Sequence, residues 1–172
     1  MSPTPRTIAG LSGGETDTIG EMSKQMVKIT AMAEEAIGAS SKVVYRYLAD
    51  YRQYHALILP PAFSVFVVEA GGVGAGTIIS FKVKLGGRTR SSRQRVEEPQ
   101  PGRILRERDI EGSTVTTFTV SPDGKHSRVK IETVYEGAKG VAGLIECLFA
   151  PRMLANLYHD ELARLDKLAR GG

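Results

Sequence analysis

The chain has 172 residues, of which 41% are hydrophobic and 24% are charged. These proportions are ordinary for a globular domain and exclude a wholly disordered, collagen-like or coiled-coil protein. Lysine and arginine exceed aspartate and glutamate by 23 to 19, and the resulting net charge of +4 bears on solubility rather than on fold. The longest apolar run, from Phe63 to Val68, is interrupted by Ser64 and is far shorter than the ~20 residues of a membrane-spanning helix.

The first 24 residues differ in composition from the rest of the chain. They contain two prolines and four glycines among serines and threonines, with few large apolar side chains. Such a segment buries too little apolar surface to offset its ordering entropy, so residues 1–24 are predicted to form a flexible tail. Met22 and Met26 are alternative starts that the sequence leaves open. The segment lacks the pattern of a secretory signal, and Cys147 is the single cysteine, so no internal disulfide and a cytoplasmic location are expected.

From residue 25 the pattern indicates one domain that begins with a strand and two short helices. Polar and apolar residues alternate over residues 26–34, which predicts a strand whose odd-numbered face is buried. Ser40 or Ser41 can cap a helix that continues to Tyr51. A second short helix within residues 52–58 is predicted to end before two consecutive prolines.

Six further strands follow, separated by turns that are rich in glycine, proline or acidic residues. Their predicted ranges are residues 63–70, 77–85, 88–96, 104–110, 114–120 and 128–135, with turns that include residues 97–102 and 122–124. Short connections between consecutive strands imply an antiparallel sheet.

The glycine-rich segment 71–76 raises the alternative of a phosphate-binding loop. Thr77 stands where the nucleotide-binding pattern requires its last glycine, and a strand follows where a helix is needed to hold the phosphate. A tight connection between two strands is therefore the better interpretation.

The last predicted element is a long helix over residues 141–169 with an apolar stripe at helical spacing. Pro151 lies inside it and predicts a bend or a break, because proline removes one backbone hydrogen bond. Only this helix is long enough to cover the apolar face of the sheet. The predicted fold is thus α+β, with a curved antiparallel sheet of about seven strands around a long C-terminal helix and two short helices after the first strand.

This arrangement resembles the helix-grip fold of the SRPBCC superfamily, which includes START and Bet v 1-like proteins. The resemblance covers nearly all of the chain outside the tail, and it is greatest to the polyketide cyclase/dehydrase-like branch. The segments that carry it are ITAMAEEAI from Ile29, VYRYLADY from Val44, VEAGGVGAGT from Val68, RVEEP from Arg95 and ELARL from Glu161. The resemblance implies that residues 25–172 form a ligand-binding domain with a cavity between sheet and helix. It implies no shared catalytic motif and no cofactor, and fold alone does not determine function.

The resemblance and the strand patterns together suggest which residues contact a small hydrophobic or aromatic ligand. Aromatic residues on predicted inward faces are expected to form the apolar wall, and helix residues are expected to close it. The candidate ligand-binding residues are Phe66, Phe81, Arg90, Phe118, Tyr135, Leu154 and Tyr158.

A cluster of arginines on the strand at 88–96 is the densest basic feature. If Val96 points inward, Arg90, Ser92 and Gln94 line the cavity side of the sheet. Leu105, Glu107 and Asp109 share one register on the next strand and could lie opposite Arg90 and Gln94 as a buried polar network. The cluster then orients a carbonyl or carboxylate of the ligand; the alternative is a solvated edge with ordinary surface pairs. Nucleic-acid binding is disfavoured because no aromatic residues are interleaved with these arginines.

An enzyme is the main alternative to a binding protein. A cyclase, aromatase or dehydratase needs a base beside a carbonyl and a donor that holds the enolate. Arg90 and Tyr135 are the candidate donors, and Asp109 or His55, expected near the cavity mouth, is the candidate base. The natural pKa range of histidine suits that role.

Other classes have weaker support in the sequence. No histidine or cysteine pair has metal-ligand spacing, and Cys147 is expected to be a small buried hydrophobe. A partner-binding domain would require a large exposed apolar patch. The sequence does not indicate the oligomeric state or the ligand.

Overall fold

The computed structural model describes residues 28–137 and 140–171, with only the backbone described for residues 140–147. The predicted tail and the side chain of Cys147 lie outside the described residues. The elements, in chain order, are β1 (Lys28–Ile37), α1 (Ser41–Ala49), α2 (His55–Ile58), β2 (Phe63–Ala70), β3 (Ile78–Leu85), β4 (Arg88–Gln100), β5 (Ile104–Asp109), β6 (Val115–Asp123), β7 (His126–Glu136) and α3 (Gly140–Gly171). The predicted order of strand, two short helices, six strands and one long helix is confirmed.

The seven strands form one antiparallel sheet in the order β1-β7-β6-β5-β4-β3-β2. Consecutive strands from β2 to β7 are neighbours, whereas β1 pairs with β7 from the other end of the domain, with Ile29 opposite Tyr135. The apolar odd-numbered residues of β1 are buried as predicted, namely Ile29, Ala31, Ala33 and Ile37, whereas Glu35 is half-buried. Helix α3 packs against this curved sheet, and Leu162 and Leu165 are completely buried between the two.

The predicted ends of two strands are wrong. Strand β4 continues to Gln100, because an irregularity after Glu97 accommodates the proline at position 99 and pairing resumes opposite Ile104. Strand β6 includes Pro122 and Asp123, so the turn to β7 consists of Gly124 and Lys125 rather than residues 122–124.

Helix α3 is one continuous element from Gly140 to Gly171 and is not broken at Pro151. Proline removes one backbone hydrogen bond, but the turns that follow it pack Leu154, Tyr158 and Leu162 against the core. Tertiary packing thus outweighs the local preference for a break. Among the described residues, no helix is both long and apolar enough to cross a bilayer.

The glycine-rich segment between β2 and β3 is a connection between strands whose backbone groups bond within the protein. The amide of Gly74 donates to the carbonyl of Ala49 at 2.9 Å, and that of Gly72 donates to Oγ1 of Thr77 at 3.0 Å. Gly71 has a φ of +68°, and a Cβ there would lie 2.9 Å from Cα of Thr77, so a side chain does not fit. These contacts favour the interpretation as a tight connection over a phosphate-binding loop.

The pairing of β4 with β5 determines which side chains of β5 face α3. Val96 lies opposite Glu107, and Gln94 lies opposite Asp109. Leu105 and Glu107 are therefore on the inner face, whereas Ile110, just after the strand, is 40% exposed. This register places a glutamate among apolar side chains in the interior.

Candidate functional site

A cavity of about 420 Å³ lies between the inner face of the sheet and helices α2 and α3. This volume is within the range of sites that hold one small molecule. Aromatic and aliphatic side chains form most of its wall: Phe63, Phe66, Ile79, Phe81, Val83, Leu85, Phe118, Leu154 and Leu157.

The cavity is open at one end and closed at the other, as the inner-face residues of β4 show. Arg88 and Arg90, next to the β3–β4 turn, are exposed, Ser92 is half-buried, and Gln94 is only 3% exposed. All four line the cavity. The arginines therefore lie at the mouth, and the ligand-sized space leads inward to polar groups that are shielded from solvent.

A buried polar cluster lies at the closed end and includes Glu107 of β5. The hydroxyl of Tyr51 donates a 2.7 Å hydrogen bond to Oε1 of Glu107, and Nε2 of His55 lies 3.5 Å from the same oxygen. Burial raises the pKa of Glu107 from its ordinary 4.5 to about 7, although the Tyr51 hydrogen bond lowers it. Glu107 can therefore gain or lose a proton at neutral pH.

His55 is a neutral member of this cluster. Burial lowers the pKa of His55 to about 4, against a smaller opposing effect of its hydrogen bond to the backbone of Leu48. Its Nδ1 lies 2.8 Å from the carbonyl oxygen of Leu48, so Nδ1 carries the proton and donates it there. Nε2 is then an acceptor that faces Glu107. The ring of Tyr51 stacks on that of His55 with centroids 4.3 Å apart, which holds the imidazole in place.

Glu161 contributes a second buried carboxyl group from α3. It is 3% exposed, and burial, together with the charges of Glu107 and Asp160, raises its pKa well above the ordinary value. Within residues 28–137 and 148–171, Oε1 of Glu161 has no hydrogen-bond partner, and neither does Oε1 of Gln94. Both residues line the cavity, so the closed end contains acceptor oxygens that these parts of the chain leave unsatisfied.

A row of three hydroxyl groups continues the polar lining. Oγ1 of Thr133 lies 2.8 Å from Oγ1 of Thr116 and 2.5 Å from the hydroxyl of Tyr158. This row joins β6, β7 and α3 inside the cavity wall. It holds Tyr158 in a fixed orientation.

Every candidate site residue from the sequence lines this cavity: His55, Phe66, Phe81, Arg90, Asp109, Phe118, Tyr135, Leu154 and Tyr158. The expected position of His55 near the mouth is wrong, because the residue is 2% exposed at the closed end. The argument from its natural pKa range is also wrong, since burial moves the pKa well below that range.

Asp109 and the arginine cluster have structural contacts that the sequence did not show. Asp109 accepts hydrogen bonds from Oγ of Ser92 at 2.8 Å and from the amides of the turn after β5, at 2.9 Å and 2.8 Å. The arginines are divided between the two faces of β4. Arg93 lies outside, where it pairs with Glu69 at 2.7 Å, and Arg90 lies at the cavity mouth.

The sequence analysis missed Glu161 and Tyr51 as members of the site. Glu161 occupies the same helical face as Leu154, Tyr158 and Leu165. An acidic residue within an apolar stripe is the sequence signal that could have identified it as a buried polar residue of the site. The helical spacing predicts Tyr51 as a core residue at the end of the first helix, whereas the structure places it in the turn after α1. Among the described residues, no group of three or more histidine, cysteine, aspartate or glutamate side chains is placed to bind a metal ion.

This architecture, a curved seven-stranded sheet around one long C-terminal helix, is that of the START and Bet v 1-like proteins. The chain belongs to the polyketide cyclase / dehydrase and lipid transport family, whose sequence model matches residues 26–170. No curated protein matches the sequence significantly.

Solved structures agree with this assignment. The KanY protein is 31% identical with a TM-score of 0.75, and the match covers 84% of this chain and 99% of that one. TTHA0849 from Thermus thermophilus is 20% identical with a TM-score of 0.71, over 83% of this chain and 97% of that one. The Zhui aromatase/cyclase from Streptomyces sp. R1128 is 14% identical with a TM-score of 0.69, over 84% and 94%. The last two likenesses concern the fold alone.

Proposed function

We propose that the protein binds a small, mainly apolar or aromatic molecule of polyketide or lipid type in the cavity between the sheet and α3. One observation carries the proposal: apolar walls lead to a closed end where buried oxygens of Glu161 and Gln94 have no hydrogen-bond partner among the described residues. A buried polar group without a hydrogen bond costs about 1–3 kcal/mol. A ligand that supplies the missing partners recovers that free energy, while its apolar body is removed from water. The family description, which includes lipid transport, supports this proposal.

Binding can be tested with N-phenylnaphthylamine, a neutral aromatic probe whose fluorescence rises in apolar surroundings. Val83 lines the cavity, and Lys84 is the next residue on the exposed face of the same strand. Val83→Trp fills the cavity, whereas Lys84→Trp adds the same ring outside it. We expect saturable binding by the wild type and by Lys84→Trp, and at least about tenfold weaker binding by Val83→Trp. Equal binding by all three proteins would place the probe elsewhere and contradict the proposal.

Native mass spectrometry of freshly purified protein identifies what the cavity carries. A stoichiometric adduct that is present in Lys84→Trp and absent from Val83→Trp supports carriage. Its chemical identification then gives the ligand class.

A second candidate function is a polyketide cyclase, aromatase or dehydratase activity in the same cavity. The observation that favours it is Glu107, a cavity carboxyl whose pKa of about 7 permits proton transfer at neutral pH. In this scheme Glu107 takes a proton beside a carbonyl group, in place of His55 or Asp109. Arg90 and Tyr135 stay candidate donors to the developing enolate, since both line the cavity.

The enzyme candidate can be tested with a linear β,δ-diketo ester that cyclises slowly in buffer. Catalysis predicts faster ring closure with the wild type and a loss of roughly a hundredfold with Glu107→Gln. Glu98→Gln is the matched control, because Glu98 is half-buried, accepts hydrogen bonds from Tyr45 and Ala75, and does not line the cavity. Ring closure at the rate of buffer alone would contradict this function and leave the binding proposal standing.

A further inference from the structure

The closed end of the cavity has an unbalanced set of ionisable groups. The buried lining residues that the structure describes include two acids, Glu107 and Glu161, and no lysine or arginine. The basic lining residues, Arg88 and Arg90, are exposed at the mouth. Buried carboxyl groups are normally paired with a cation or hydrogen-bonded on both oxygens, and in the described part of the chain no lysine or arginine is buried beside them.

We propose that the closed end of the cavity binds a protonated amine, so that the ligand is an amine with an apolar or aromatic body. This inference rests on the proposed function, in which the cavity holds a ligand. It reverses the expectation that Arg90 orients a carbonyl or carboxylate group, because the arginine lies at the mouth and the acids lie at the closed end.

The groups that face the amine are mostly acceptors. Oε1 of Glu107 on β5 accepts the hydrogen bond from Tyr51, and Oε2 is the second oxygen of that carboxyl group. Oε1 of Glu161 on α3 and Oε1 of Gln94 on β4 have no hydrogen-bond partner among the described residues. Nε2 of His55 is an acceptor because Nδ1 donates to Leu48. An ammonium group has three donors and no acceptor, which matches this set. A ligand carboxylate would meet oxygens and like charge instead.

The charge balance also favours the amine over a neutral group. Burial disfavours the charged form of both acids, and the charge of Glu107 raises the pKa of Glu161 further. The other titratable groups around them are neutral or outside: Tyr51 and Tyr158 are phenols with raised pKa values, and Asp160 is exposed and paired with Arg164 at 3.0 Å. A buried ammonium supplies the missing positive charge, and a carboxyl group then releases its proton to solvent.

Three probes of matched shape test the preference: naphthylmethylamine, naphthylmethanol and naphthoic acid. Isothermal titration at neutral pH is expected to show the amine bound at least about tenfold more tightly than the alcohol, with the acid weakest. Titration in two buffers of different ionisation enthalpy is expected to show proton release with the amine and none with the alcohol. Preference for the acid, or equal binding of amine and alcohol, would overturn the inference.

Substitutions locate the charge that is responsible. Glu161→Gln keeps the shape of the side chain and is expected to reduce amine binding at least about tenfold, with alcohol binding within about twofold of the wild type. Glu98→Gln makes the same change at an acid that does not line the cavity, and it is expected to leave both affinities unchanged. Glu107→Gln is a second cavity variant, so the inference stays testable if Glu161→Gln does not fold. An equal effect of Glu161→Gln and Glu98→Gln would contradict the proposed site.

The two proposals fail in different ways. If none of the three probes binds, or if Val83→Trp binds them as the wild type does, the cavity is not a ligand site and the proposed function fails. If the probes bind in the cavity without preference for the amine, ligand binding stands and only the inference about its chemical class is overturned.

Discussion

Tyr51 and Glu107 form a buried hydrogen bond between residues 56 positions apart, with 2.7 Å from the phenol oxygen to Oε1 of the acid. Tyr51 is 1% exposed and Glu107 is 6% exposed. The bond joins the segment after α1 to the middle of β5 and fixes one oxygen of the carboxyl group at the closed end of the cavity.

Replacement of Tyr51 by phenylalanine removes the donor and leaves Glu107 buried. We expect the pKa of Glu107 to rise above 7, because the hydrogen bond from Tyr51 lowers it in the wild type. The free energy of unfolding is expected to fall by about 1–3 kcal/mol, since a buried acceptor loses its partner. Carbon-detected NMR titration measures the pKa, and urea denaturation measures the stability.

Tyr47→Phe is the control for this substitution. Tyr47 is also buried, and its ring packs on that of Tyr54. The pKa of Glu107 is expected to stay at its wild-type value in this variant. A shift in Tyr47→Phe equal to that in Tyr51→Phe would show that the Tyr51 hydrogen bond does not set the pKa.

Glu107 and His55 have opposite effects on how stability depends on pH. The pKa of Glu107 is raised from 4.5 to about 7, so its contribution is fully present below pH 4.5 and is lost as pH rises to 7. The pKa of His55 is lowered from 6.5 to about 4, so its contribution is present above pH 6.5 and is lost as pH falls towards 4. Between pH 4.5 and pH 6.5 a rise in pH removes the stabilising contribution of Glu107 and restores that of His55. The two effects therefore partly cancel in the wild type.

Glu107→Gln removes one of the two effects. Between about pH 4.5 and pH 7 the stability of this variant is expected to rise relative to the wild type, by up to roughly 3 kcal/mol in total. Urea unfolding at closely spaced pH values tests this, and a difference that is independent of pH throughout would contradict the raised pKa.

Thr133 is the central member of the hydroxyl row and bonds to both Thr116 and Tyr158. Thr133→Val is expected to lower the free energy of unfolding by about 1–3 kcal/mol, because buried hydroxyl groups on both sides lose a partner. The comparison is Thr117→Val, at a half-buried position on the outer face of β6, where the change is expected to stay within about 0.5 kcal/mol. Chemical denaturation of both variants measures the difference, and equal losses would show that the row contributes nothing.

Local patterns predicted most of the fold because they depend on neighbouring residues. The period of two in β1, β3 and β7 and the apolar stripe of α3 each follow from one segment alone. The buried face of β5 could not be predicted from its own segment, because Ile104 and Ile110 are even-numbered apolar residues whereas Leu105 is odd-numbered. Its pairing with Val96 on β4 decided that Glu107 faces inward.

The candidate site shows the same division. The sequence identified the phenylalanines of the wall and Tyr158, because burial of apolar and aromatic residues follows the period of their own strand or helix. It did not identify the meeting of Glu107 and Glu161, or the burial of His55.

The amino-acid sequence by itself determined the order of elements, the buried faces and the presence of a cavity-forming family fold. The tertiary structure alone decided which polar groups meet at the closed end, because Tyr51, His55, Gln94, Glu107 and Glu161 come from five separate places in the chain. Their pKa shifts arise from burial by those distant segments, and no local pattern contains that information.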